Sequence, residues 1–225
     1  MMPTLTGFRG RSPVELAVGS GCLALVGLLA AVGAYIEVAE PTLTGVRTLA
    51  YPALWITGSV GTAVWIGLTV RGRPRRRRGV VVAAGYTLAL LWLTGLIGAP
   101  TATTTAEIVA ALPGWGPLLL YDGTVIRLAV VPFKLVAYLA LGYIVYVFVA
   151  ANGGSVRAAV LGFATCVGCG APLLVAVAGG LGSAQAATLV ASVGYDIATV
   201  VLGGTFGLLA LAASRQATAE CSPTE

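Results

Sequence analysis

Apolar residues run along this chain in long blocks, with polar and charged residues gathered between them. Crossing about 30 Å of hydrocarbon takes about 20 helical residues. By that measure the blocks predict six membrane spans, at residues 14–38, 48–70, 80–98, 125–150, 156–181 and 187–213. The fold expected is therefore an all-α integral membrane bundle of six transmembrane helices, forming a single domain over residues 1–225. The first block is too long for the apolar part of a signal peptide and is read as a retained span. The connection at residues 99–124 is the longest. Its polar Thr101–Thr105 run reads as loop, and Glu107 to Leu112 reads as the start of a short helix. Pro113-Gly114-Trp115-Gly116-Pro117 is a turn around an aromatic. This connection is expected to be a short interfacial or re-entrant segment, with Trp115 and Tyr121 at headgroup depth.

Composition agrees with the pattern. Apolar residues make up 58 %, charged residues 9 %, and mean hydropathy is +0.95. Soluble domains carry about 25 % charge, so this chain could not cover a water-facing surface. The 31 glycines suit close helix contacts in lipid. Localisation in the cell membrane as a multi-pass protein follows, with the lipid bilayer as a partner and other membrane subunits as candidate partners.

Charge placement sets the orientation. Ten of the 13 basic residues fall on one side: Arg9, Arg11, Arg71, Arg73, Arg75–Arg78, Arg157 and Arg215. Arg47 and Arg127 fall on the other, and Lys134 lies within the fourth block. Cytoplasmic loops are enriched in Lys and Arg. Both termini are therefore expected inside the cell. The run at 71–78 reads as a topology anchor against anionic headgroups, and no nucleic-acid partner is expected.

The absence of histidine excludes His-ligated haem, His-based zinc sites and a Ser–His–Asp triad. Chemistry must then come from other groups. Cys166 and Cys169 lie in the fifth block at a spacing that puts both thiols on one helix face. Gly168, Gly170 and Pro172 surround them and should break the helix, since proline lacks an N–H and clashes with the carbonyl four residues back. A break inside lipid leaves backbone groups that only a bundle interior or a bound species can satisfy. The functional reading is a catalytic redox pair or a soft-metal site, with Cu(I) as the candidate cation. The other reading is small apolar packing, because free cysteine behaves as a small hydrophobe.

Lys134 and Asp196 are the remaining candidates, each placed about nine residues, or roughly 13 Å, below the outer surface. Equal depth predicts an intramembrane ion pair, with Tyr138 four residues on from Lys134 and on its face. The pair is read as a structural salt bridge, as a proton or ion relay, or as a counter-charge for the cysteine site. Gly203 and Gly207 form a GxxxG packing signal in the sixth block.

Val131-Pro132-Phe133-Lys134-Leu135-Val136-Ala137-Tyr138, the cysteine pair followed by proline, and Gly194-Tyr195-Asp196-Ile197-Ala198-Thr199-Val200-Val201 resemble a family of uncharacterised membrane proteins of haloarchaeal type. The resemblance covers about the last hundred residues, and earlier spans match in hydropathy alone. It implies the multi-pass architecture and a link to respiratory-chain assembly. The functional expectation is thiol redox or copper handling at an intramembrane CxxC. The alternative is a non-catalytic membrane subunit or permease component, in which the cysteines and the Lys–Asp pair are structural.

Overall fold

The computed structural model describes residues 12–39, 46–70, 76–100, 102–109, 116–151 and 184–220. Five helices occur among them: α1 (Pro13–Ala39), α2 (Val46–Thr69), α3 (Arg76–Leu93), α4 (Pro132–Ala151) and α5 (Ala184–Glu220). Four of these, α1, α2, α4 and α5, contain stretches long and apolar enough to cross a membrane. That is the mark of a membrane protein. Helix α3 has 18 residues, and three arginines take its first turn. The expected fifth span, at 156–181, lies outside the described residues.

Ser12 and Pro13 start α1. The Ser12 hydroxyl accepts from the Glu15 N–H at 3.2 Å, and the Ser12 N–H donates to the Glu15 carboxylate at 2.9 Å. This reciprocal cap satisfies two backbone and side-chain needs at once, and proline suits the first helical position. Hydroxyls inside the helices are satisfied locally: Ser59, Thr57, Thr69, Thr87 and Thr205 donate to carbonyls three or four residues back. Ser59 and Thr205 can therefore be buried without an orphan polar group.

Packing contacts fix the helix directions. Gly21 of α1 faces the Thr57 carbonyl of α2, and Gly61 faces that of Ala17, so the two helices run antiparallel. Gly79 and Gly142 bring α3 and α4 together antiparallel, against Tyr146 and Thr87 respectively. Trp55 meets Phe133 and Gly67 meets Tyr143, so α2 and α4 run the same way. The core lies between α2 and α4, around Ile66, Phe133, Ala137, Leu141 and Ile144.

The connection between α3 and α4 corrects the all-α expectation. It is a four-stranded antiparallel sheet of β1 (Ile97–Gly98), β2 (Thr105–Val109), β3 (Leu118–Asp122) and β4 (Arg127–Val130), in the order β1-β4-β3-β2. Glu107 starts no helix; it sits in β2 opposite Leu120. No re-entrant segment is seen among the described residues of this connection. Every β2 residue is exposed, and hydrocarbon cannot satisfy an open strand edge. Such a sheet is unsuited to the hydrocarbon interior. Arg127 Nε lies 2.7 Å from Asp122 Oδ1 across the β3–β4 hairpin. That contact leaves the oxygen without an aligned hydrogen-bond donor among the described residues.

Two predicted span ends move as a consequence. The third span does not reach Gly98, because Gly95 adopts φ 74°, a left-handed conformation that ends helices and suits glycine. The fourth does not start at Val125. Pro132 opens α4, and proline pushes the residue before it toward extended backbone. Arg127–Val130 pairs as strand, and its Leu128-Ala129-Val130 run is apolar without being helical. Short apolar runs do not distinguish strand from helix.

Candidate functional site at the sheet end of the bundle

The end of the bundle that carries the sheet also holds two polar side-chain contacts between helices. Tyr51 and Trp55 lie one turn apart on α2. The Tyr51 hydroxyl donates to a carboxylate oxygen of Asp196 on α5. The Trp55 indole N–H donates to the Thr199 hydroxyl at 3.0 Å, one turn farther along α5. These two bonds set α5 parallel to α2 and fix its register. Buried Trp55 and half-buried Tyr51 each find a partner for their polar ends on the same neighbour.

Trp55 is 4 % exposed and forms the hub of this region. Phe133 meets its ring edge-on at 5.5 Å between centroids, and Tyr138 does so at 6.3 Å. Such T-shaped contacts are the favoured aromatic geometry. Fully buried Pro52 lies between the two donors. A proline there leaves the carbonyl four residues earlier without its helical partner and bends the helix.

Lys134 is half-buried in the first turn of α4, directly after Phe133. This corrects its predicted depth. Residues 125–131 are turn and strand, so Lys134 stands at the sheet end of its helix and not about nine residues inside it. Asp196 lies at a matching level. It is 19 residues before Arg215, roughly 28 Å along a helix, which is close to the full hydrocarbon thickness. Lys134 stands in the first turn of α4, whereas Asp196 lies 12 residues after Ala184, the first residue of α5. Phe133, beside Lys134, packs on Trp55, which bonds Thr199, one turn from Asp196.

Of the residues singled out from sequence, Asp196 and Tyr138 meet α2, at Tyr51 and Trp55 respectively, and Lys134 stands one residue after Phe133, which packs on Trp55. Cys166, Cys169, Gly168, Gly170 and Pro172 lie outside the described residues. Cys22 is a free, exposed thiol on α1. Among the described residues no group of three or more Cys, Asp or Glu side chains could hold a metal. Sequence reasoning missed Tyr51, Trp55 and Thr199. The available signal was a tyrosine and a tryptophan at helical spacing around a proline, inside a block read only for hydropathy.

Residues 2–216 match the family of unknown function DUF7546, and the chain belongs to that family. No curated protein and no solved structure matches the chain.

Proposed function

We propose that the protein is a six-span protein of the cell membrane that binds a soft monovalent cation, Cu(I), at Cys166 and Cys169. In this reading Asp196 receives a proton released on binding, and Lys134 serves as its counter-charge. Two thiols binding one Cu(I) form two S–Cu bonds and give up two protons. A carboxylate held near the sheet end offers one of those protons a route off the site. The observation that supports this reading is the hydrogen bond from Tyr51 to Asp196. It keeps an ionisable group in a fixed place on the helix that follows the cysteine-bearing stretch. Ionisable groups in spanning helices are costly and mark ion or proton paths.

The six-span topology has its own support. Helices α4 and α5 both run parallel to α2. The chain at 152–183 therefore has to return from one end of the bundle to the other. Its 32 positions exceed the roughly 20 needed for one crossing. The start of α1, the end of α2, the start of α3 and Arg215 share one end, and the basic-residue rule makes that end cytoplasmic.

Metal content and free thiols should be measured on purified wild type, on the Cys166→Ser, Cys169→Ser double variant and on Asp196→Asn. Wild type should hold one Cu(I) per chain and the double variant none. Asp196→Asn should still reach one Cu(I) per chain but take it up and release its protons more slowly. Equal copper in wild type and double variant would sink the proposal. A second reading, a structural subunit or permease component, is favoured by the way Tyr51 and Trp55 tie α2 to α5. It gains if no form binds metal and the thiols stay reduced.

A further inference from the structure

The opposite end of the bundle holds a cleft of different chemistry. It lies between the start of α3 and the end of α4, encloses about 290 Å³, and is lined by Arg77, Arg78, Val81, Val82 and Val149. Two guanidinium-bearing residues therefore stand beside a wall of valine. Arg77 and Arg78 are exposed. Neither forms an ion pair with a carboxylate among the described residues. Tyr146 closes α4 onto α3 at Gly79, where a Cβ would lie 3.1 Å from its ring. The cleft is thus bounded by a tight helix contact.

The charges also stand at the unfavourable end of their helix. Arg76, Arg77 and Arg78 fill the first turn of α3, which contains no acid. A helix N-terminus carries partial positive charge, so cations there are destabilising and an anion is stabilising. A bound anion would offset both the macrodipole and the mutual repulsion of the arginines. A topology signal alone needs basic residues near the span. It does not need them in the first helical turn, at the mouth of an apolar cleft.

We propose that this cleft binds one anionic phospholipid from the leaflet at the arginine end, with its phosphate on Arg77 and Arg78 and an acyl chain along Val81, Val82 and Val149. Basic pockets between spanning helices suit such headgroups, and arginine binds phosphate through a planar fork of donors. The apolar wall is what selects a lipid over free phosphate. The valines of α3 are open to the surroundings, with Val81 71 % exposed and Val82 37 % exposed. A chain can therefore enter sideways from the bilayer.

The test uses the full chain purified in detergent and mixed with micelles containing phosphatidylglycerol or phosphatidylcholine, with bound lipid counted by native mass spectrometry. Wild type should retain one phosphatidylglycerol and little phosphatidylcholine. Arg77→Gln with Arg78→Gln should weaken retention on the order of tenfold or more. Arg73→Gln with Arg75→Gln removes the same charge from the same run and should leave retention near wild type. Val82→Trp keeps every arginine and fills the cleft, so it should also lose the lipid; it carries the test if the arginine variant does not insert. Equal retention of the two lipids would overturn the proposal. So would equal loss in the two arginine pairs, undiminished binding by Val82→Trp, or full displacement by millimolar inorganic phosphate.

Discussion

At the sheet end, α2 reaches α5 through two long polar side chains, Tyr51 to Asp196 and Trp55 to Thr199. Toward the arginine end, helices meet through missing side chains: Gly67 receives Tyr143, Gly142 receives Thr87 and Gly79 receives Tyr146. The difference reflects the solvent. Lipid tails are as apolar as leucine, so burying leucine against a neighbour yields little. Association must come from directional bonds or from close fit, and this bundle uses one toward each end. Directional bonds fix register, and here one of them holds Asp196 against Tyr51. Close fit shortens the distance between helix axes without fixing a polar group.

The largest effect expected is from Trp55→Ala. It removes the ring against Phe133 and Tyr138 together with the bond to Thr199. A loss on the order of 3 kcal/mol is expected, read by titrating unfolding with a denaturing detergent in mixed micelles. An effect below about 1 kcal/mol on that scale would remove Trp55 as the hub. Gly142→Ala comes next. Its Cβ would collide with the Thr87 hydroxyl, which is held to the Ala83 carbonyl at 2.8 Å. Thr87 is stiff at its branched carbon, so α3 and α4 must separate, at a cost of about 2 kcal/mol. Gly67→Ala should cost less, because the atom it meets is the hydroxyl end of Tyr143, which can swing away. Equal costs at the two glycines would show that the close fit is looser than the contacts imply.

The smallest effect separates the two ends most sharply. A double-mutant cycle of Tyr51→Phe with Asp196→Asn should give a coupling of about 0.6 kcal/mol, the usual scale for hydrogen bonds between membrane helices. The same cycle between Gly67→Ala and Asp196→Asn should give none, since distant sites add. A Tyr51–Asp196 coupling indistinguishable from zero would leave the sheet end, too, held by shape alone.

Hydropathy along the chain was enough to place α1, α2, α4 and α5, because about 20 apolar residues in a row have one stable use in a bilayer. The same averaging hid the sheet. Leu118-Leu119-Leu120 and Leu128-Ala129-Val130 are apolar enough to extend a neighbouring span, yet they pair as β3 and β4. Local signals were present: Asp122-Gly123 at the hairpin, Gly95 after α3, and Pro132 at the start of α4. They were outweighed by the length of the apolar blocks.

Asp196 and Lys134 stood out from sequence because a charge within an apolar block is costly wherever that block folds. Their depth did not, since it depended on where α4 begins. Nor did the partner of Asp196. Tyr51 is 145 positions away, and nothing in either segment encodes that distance. The apolar blocks long enough to cross a membrane and the candidate ionisable groups are properties of residues and local runs, so the sequence determined them. Which helix lies beside which, that Trp55 joins α4 to α5, and that Arg77 and Arg78 open onto a valine cleft are relations between segments. Only the packed helices decided them, because a hydrogen bond or a close contact exists only once both partners are held in place.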